Sequence, residues 1–378
     1  MLGKICIIGD GLSSLILAKA LCDLNIHIDV IRRKIINKKN YQNRSLALSN
    51  SNLEFLLNLG VFKKKRDSVW KINEIKLYDN KLHNLNNLIF NFKKKNNLFY
   101  MVENNKILYE LMHDLKKNKL IKQIQPKNYN RLIKKITYNK NYDLIINCDN
   151  SNFISKKFFS KKIKKAYNAI SFTSIIQHQK IKNNIAYQYF TEKGPLAFLP
   201  LSNYSTSIVW TINSKLSKNF SEISHLQFKN KIRELFEIKA KIKSFSQIAG
   251  YSLNFLVPRN YVKNNILIFG DNLHKIHPFV GQGLNMTIRD IKLLREIIKK
   301  RISLGLYLDT NILLEFTKKT KPFNYIFANG IDLTEKYFSV NNKLFNKMSN
   351  HCLKNINKNI VLKNILINIA DKGINIKN

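Results

Sequence analysis

GDNLHKIHPFVGQGLN, residues Gly270 to Asn285, follows the apolar run Ile266-Leu267-Ile268-Phe269 and leads into the helical apolar spacing of Met286 to Ile298. A buried strand ending in Gly-Asp, then a turn containing Pro278, then a Gly-rich helix start, suits an anionic or electron-rich cofactor. Gly281 and Gly283 let backbone N–H groups approach a ligand, and the following helix aims the positive end of its dipole at it. Gln282, Leu284 and Asn285 belong to the same helix start. Asp271, an acceptor when ionised, suits a hydroxylated chain. The plainer reading is a strand-turn-helix corner with no ligand.

The N-terminus supplies a second Gly-rich turn. Lys4-Ile5-Cys6-Ile7-Ile8 reads as a short buried strand, Gly9-Asp10-Gly11 as a tight turn, Leu12 to Leu24 as a helix and Ile28 to Ile31 as the next strand. This is the start of a dinucleotide-binding βαβ unit, written GxGxxS because Ser14 stands where a third glycine is usual. At the end of the second strand, where an acidic residue normally meets the ribose, the chain has Arg32 and Arg33. Arginine there fits a 2′-phosphate, stacking on adenine, or a pyrophosphate contact.

These two motifs resemble those of the class A flavoprotein monooxygenases, which have the para-hydroxybenzoate hydroxylase fold. Arg44 to Phe62 and Gly194 to Trp210 are similar to signatures of the ubiquinone-biosynthesis hydroxylase branch, and Tyr100 to Asn104 and Thr334 to Ser339 resemble two more of its segments. Each piece also has a plain reading: Ser45 to Phe62 as a helix with Leu53, Leu56, Leu57 and Val61 on its core face, Gly194-Pro195 as a turn before a buried strand. The resemblance implies an α/β fold: a Rossmann-like FAD-binding domain, an inserted mixed-sheet substrate domain and a helical C-terminal region. It implies FAD held by Gly9, Gly11, Ser14, Arg32, Arg44, Asp149, Gly270, Asp271, Pro278, Gly281, Gln282, Gly283, Leu284 and Asn285. Of these, Pro278, Gly281, Gln282 and Gly283 are the flavin-facing candidates.

The implied activity is hydroxylation of a polyprenylated phenol of ubiquinone biosynthesis by dioxygen through a C4a-hydroperoxyflavin, the protein supplying orientation and electrostatics. No Ser-His-Asp or Cys-His arrangement and no paired carboxylates point elsewhere. In the middle motif Asp149 is retained, while Asn150 replaces a glycine, Phe153 a serine and Lys156 an arginine. The electron donor is therefore left between NAD(P)H and a reductase protein. Two other readings are a catalytically decayed flavin-binding scaffold of a quinone-biosynthesis assembly and a prenyl-chain reductase of the same fold.

A net charge of +41 over 378 residues would ordinarily suggest nucleic acid. The lysines are instead spread through the chain among Asn and Ile, as in Lys63 to Lys65 and Lys161 to Lys165, so most of the charge reads as solvated surface and no nucleic-acid partner is expected. Cys6, Cys22, Cys148 and Cys352 show no C-x-x-C spacing and read as reduced thiols of a cytoplasmic protein. His274 and His277 have no further ligand at metal spacing, and no metal is expected.

No apolar run reaches the roughly 18–20 residues needed to span a bilayer, so membrane contact would be peripheral, at the inner face. The pattern predicts a discontinuous FAD-binding domain over 1–68, 100–162 and 262–378, and a substrate domain over 69–99 and 163–261. The basic amphipathic stretch Cys352 to Ile369 has two readings, packing on the body or docking on an acidic membrane face or a membrane-bound assembly.

Overall fold

Ile5, Cys6, Ile7 and Ile8 are inaccessible to solvent, a run that only the middle of a parallel sheet covered on both faces accommodates. The computed structural model describes residues 3–33, 44–62, 69–79, 87–93, 97–139, 141–213, 225–275, 281–339 and 359–373. In it the strand Lys4–Ile8 pairs in parallel with His27–Ile31 on one side and Leu144–Asn147 on the other. Ile121–Ile124 and Ile266–Ile268 extend the parallel sheet at either side, and Val262–Lys263 adds a short antiparallel edge. The chain leaves Lys4–Ile8 toward one side and later returns on the other. The reversal opens a crevice at the carboxyl ends of Lys4–Ile8 and Leu144–Asn147, where sheets of this kind bind ligands.

The helix Leu12–Leu21 packs against the helices Asn104–Lys116 and Gly283–Ser303. Its start is held by Ser14, whose Oγ lies 3.0 Å from the carbonyl oxygen of Gly9 and 2.8 Å from that of Gly11. The residue in the usual glycine place therefore ties the turn to the helix.

A larger sheet runs in the order Ile242–Phe245, Lys162–His178, Ser205–Asn213, Gly194–Ser202, Ile185–Thr191, Glu74–Asp79 and Asn87–Lys93, with Ala249–Pro258 also pairing with Lys162–His178. Strand alternation gives it two unlike faces. Tyr189, Phe198, Ile208 and Trp210 pack under the helix His225–Phe236. Ala186, Leu199 and Leu201 point the other way, onto Ile72 and Met101 of a three-stranded sheet made by Ser45–Ser49, Phe99–Glu103 and Val69–Ile72. Ser45 to Phe62 is thus no single helix: Ser45–Ser49 is a strand and Asn50–Asn58 the helix after it. The alternation Ser45, Ala47, Ser49 against Leu46 and Leu48 allows a strand, and pairing with Phe99–Glu103 selects it.

After Gly283–Ser303 the chain is helical through Thr310–Ser339 and again over Ile360–Lys372. The last helix ends on the body: the Asp371 carboxylate accepts from the Ser51 backbone N–H at 2.9 Å, and its carbonyl accepts from the Ser49 and Ser51 hydroxyls, each at 3.0 Å. The expected tail, Cys352 to Ile369, is described only from residue 359 onward. Among the described residues no helix is long and apolar enough to cross a membrane.

Replacing Ser14 with glycine would complete the usual three-glycine pattern but remove the hydroxyl and loosen the helix backbone. Ser14→Gly is expected to destabilise the protein by about 1–2 kcal/mol, read from the shift in its urea-unfolding curve.

Candidate cofactor-binding site

Two Gly-rich turns meet at the crevice because Gly270 has no side chain. Its φ is +64°, and a Cβ there would stand 2.7 Å from both Cβ and Oγ of Ser13 in the first turn of the helix Leu12–Leu21. The residues Gly270–Asn272 form a short 3-10 turn after Ile266–Ile268. Asn272 is buried beneath it and donates to the Asn147 carbonyl at 3.1 Å, joining the turn to the neighbouring strand. Asp271 is exposed, and its carboxylate accepts no hydrogen bond from any described residue. Burial pushes the nearby Cys148 thiol far up, with the negative charges of Asp271 and Asp149 adding to the effect, which disfavours its thiolate.

Both helices that start at the crevice are open. Leu12–Leu21 follows Gly11, and Gly283–Ser303 follows Gln282; neither has a side-chain cap or an acidic residue in its first turn. A Cβ built at Gly11 or at Gly283 would meet nothing within 4 Å. Gln282 is buried, with Oε1 lacking any hydrogen-bond partner. Open N–H groups, an unused buried amide oxygen and an available carboxylate fit a ligand with phosphates, hydroxyls and hydrogen-bonding ring edges. FAD is such a ligand. Pro278, expected at the same place, lies outside the described residues.

The Asn285 side chain ties the helix start to a neighbouring strand. Its Nδ2 donates to the carbonyls of Ala47 at 2.9 Å and Gly281 at 3.1 Å, while its Oδ1 accepts from the Ser49 backbone N–H and from Asn52 Nδ2, each at 3.0 Å. The buried amide thereby fastens the strand Ser45–Ser49 to the helix start. Gly281, at φ +61°, lets that strand come close, since a Cβ there would lie 3.2 Å from Ala47 Cβ. Leu284 packs against the main core. Arg44, just before the strand, lays its guanidinium 3.5 Å from the centroid of the Tyr251 ring.

Of the two arginines after His27–Ile31, Arg32 turns inward and donates to Gln123 Oε1 at 3.2 Å. Arg33 reaches the crevice side: its backbone N–H donates to Asp10 Oδ1 at 2.7 Å, and its guanidinium pairs with Asp149 at 2.9 Å and lies over Tyr129. Asp149 also accepts from Tyr129 Oη at 2.7 Å and from the Ser151 N–H and hydroxyl at 2.8 Å each. Burial opposes ionisation of Asp149. The hydrogen bonds from Ser151 and Tyr129 and the charge of Arg33 outweigh it and hold the carboxyl below its usual range.

Asn150 has no positive φ, so the turn does not require the glycine it replaces. Asn152 caps the helix Phe153–Phe158 and exchanges hydrogen bonds with Asn147, which keeps the altered segment ordered. Sequence reasoning missed Tyr129 and Ser13 altogether; both lie far in the chain from the residues they touch, and no local pattern marks them.

Residues 155–303 match the FAD binding domain family. The chain is similar, at 26% identity over 216 residues, to ubiquinone biosynthesis monooxygenase COQ6 of Dictyostelium discoideum, covering 49% of this chain and 44% of that protein. Similarity to the 3-demethoxyubiquinol 3-hydroxylase of Escherichia coli is 26% over 167 residues, covering 44% and 43% of the two chains. The chain thus spans less than half the length of each of these relatives. The fold is shared with p-nitrophenol 4-monooxygenase of Pseudomonas putida, at a TM-score of 0.77 and 12% identity over 98% of both chains. The match to the FAD binding domain and the shared fold agree with each other. The chain's cofactor is FAD, and its architecture is the α/β FAD-binding fold with a helical C-terminal region.

Two outcomes follow from the site's geometry. Asn285→Ala leaves the Ser49 N–H, the Ala47 carbonyl and Asn52 without partners, and is expected to cost about 1–3 kcal/mol of stability in chemical unfolding and to release FAD more readily. Asp149 has a lowered folded pKa, so its stabilisation is present above the ordinary value of 3.8 and is lost as pH falls through the folded value. Asp149→Asn should flatten the acid limb of a plot of Tm against pH below about pH 5, through and beneath the ordinary carboxyl value of 3.8.

Proposed function

We propose that this chain is an FAD-dependent aromatic-ring hydroxylase acting on a polyprenylated phenol of ubiquinone biosynthesis. The observation that carries the reading is the pair of uncapped helix starts, at Gly11 and Gly283, joined at one crevice by the contact of Gly270 with Ser13. The N–H groups following Gly9 and Gly11 would take the pyrophosphate, and Asp271 the ribityl hydroxyls. The turn Gly281 to Leu284 would face the ring, with Arg44 and the Asp149 segment flanking the cofactor. FAD, when bound, supplies the activation of dioxygen.

The remaining work falls to the chain. The positive end of the helix Gly283–Ser303 stabilises negative charge developing on the ring edge before it. Ala47 adjoins both Gly281 and an apolar cluster that contains Trp70, Ile72, Met101, Leu199 and Leu201. That cluster excludes water beside the flavin-facing turn and suits an apolar substrate. A phenol is electron-rich, so no side-chain nucleophile is needed. Either NAD(P)H or a reductase protein serves as electron donor.

The names of the relatives in D. discoideum and E. coli favour hydroxylation over a scaffold or a prenyl-chain reductase. In this reading 1–68, 100–162 and 262–378 form the cofactor domain, and 69–99 and 163–261 the substrate domain. The enzyme meets its substrate at the inner face of the membrane, alone or within a quinone-biosynthesis assembly. The helix Ile360–Lys372 offers a surface for this, with Ile360 72% and Val361 63% exposed.

Purified protein should be yellow with non-covalent FAD, and Asp271→Ala should weaken FAD binding by about fivefold to about 150-fold, corresponding to about 1–3 kcal/mol. A host lacking its own pathway hydroxylase should regain ubiquinone when the chain is expressed. Protein that stays colourless on FAD titration would overturn the cofactor assignment, and continued precursor accumulation with soluble, FAD-loaded protein would overturn the substrate.

A further inference from the structure

On the face of the large sheet opposite the cofactor crevice lies a cavity of about 190 Å³. Its walls are Tyr187, Phe198, Pro200, Thr206, Phe236 and Lys239, beneath the end of the helix His225–Phe236. An engineered cavity of about 150 Å³ accommodates benzene, so this one admits a single ring with a small substituent.

The polar groups on and behind its wall are unequally committed. His178 holds the Gln179 carbonyl 2.7 Å from Nδ1, which fixes the proton there, and burial pushes its pKa down and keeps the ring neutral. Nε2 must then accept from the Thr206 hydroxyl, 3.0 Å away. Asn183 Nδ2 donates to Thr206 Oγ1 at 2.9 Å and to the Ser202 carbonyl at 2.7 Å. Thr206 therefore has no proton left to offer a ligand.

Lys239 is different. Its Nζ sits 2.9 Å from the centroid of the Tyr187 ring and makes no ion pair with any described carboxylate. Glu74 pairs instead with Lys76, 3.4 Å away. Burial, with the charge of Lys76 adding to it, pulls the Lys239 ammonium down to about 7, a strain that a bound anion would relieve. Lys182, exposed at the mouth, adds positive charge. The cavity thus combines flat aromatic walls with one under-neutralised ammonium.

We propose that this cavity is a second ligand site, separate from the cofactor crevice, which takes a compact aromatic monocarboxylate, its ring against Phe198, Pro200 and Phe236 and its carboxylate on Lys239.

Benzoate is the probe, titrated calorimetrically into the FAD-loaded full chain while the flavin absorption spectrum is recorded. Binding is expected without a flavin spectral change, with benzamide, the neutral isostere, at least about tenfold weaker. Lys239→Met should keep FAD and its unfolding midpoint yet lose at least about tenfold in benzoate affinity. Undiminished binding in Lys239→Met, equal binding of benzamide, or binding only with a flavin spectral change would each overturn the proposal. Should Lys239→Met fail to fold, crystals of the wild-type protein soaked in 4-bromobenzoate decide the matter. An anomalous bromine peak against Phe198 and Phe236 supports the site, and its absence there refutes it. None of these outcomes depends on the hydroxylation proposed above.

Discussion

The site rests on the close approach of Gly270 to Ser13. Because a Cβ at Gly270 would stand 2.7 Å from Ser13, no other residue lets the turn after Ile266–Ile268 settle on the first turn of Leu12–Leu21. That contact places two helix N-termini from opposite ends of the chain at one switch point of the parallel sheet. Their dipoles and open N–H groups then act on the same crevice. The positive φ of Gly270 serves the same end, since a β-carbon would be strained there as well as crowded.

A second constraint holds the large sheet to the turn before the helix Gly283–Ser303. Asn285 uses both ends of its amide to join the Gly281 turn to the strand Ser45–Ser49. Ser45 in turn makes a 2.7 Å hydroxyl contact with Ser207 of the large sheet. The three-stranded sheet is therefore a spacer between two larger layers, with apolar packing on one side and a satisfied buried amide on the other. Buried polar groups of this kind specify one geometry, because any shift leaves them without partners. The C-terminal helix adds to the same region, since Asp371 holds the start of Asn50–Asn58 through Ser51.

The large sheet shows how one alternating sequence serves two ends. In Gly194–Ser202, Phe198 faces the core under His225–Phe236, whereas Leu199 and Leu201 face the three-stranded sheet. Apolar character alone did not assign them; the pleat did.

The local sequence determined most of the chemistry by itself. The run Ile5 to Ile8, the Gly-rich turns at Gly9 and Gly281, and the Gly270-Asp271 pair each carry their meaning within a few residues, because backbone access and helix dipoles are local properties. What lay beyond the sequence were partnerships between distant residues. Arg32 and Arg33 are adjacent and chemically alike, and only the neighbouring strand Ile121–Ile124 and the Asp149 turn decide that one is buried on Gln123 while the other meets Asp10 and Asp149. Asn285 stands in the same helix start as Gly283, and only the tertiary structure shows its side-chain amide committed to the Ser45–Ser49 strand. Ser45 to Ser49 could be written as helix or strand until Phe99–Glu103 offered it hydrogen bonds. Side-chain direction and hydrogen-bond partners over such separations are set by packing, and a linear pattern does not encode them.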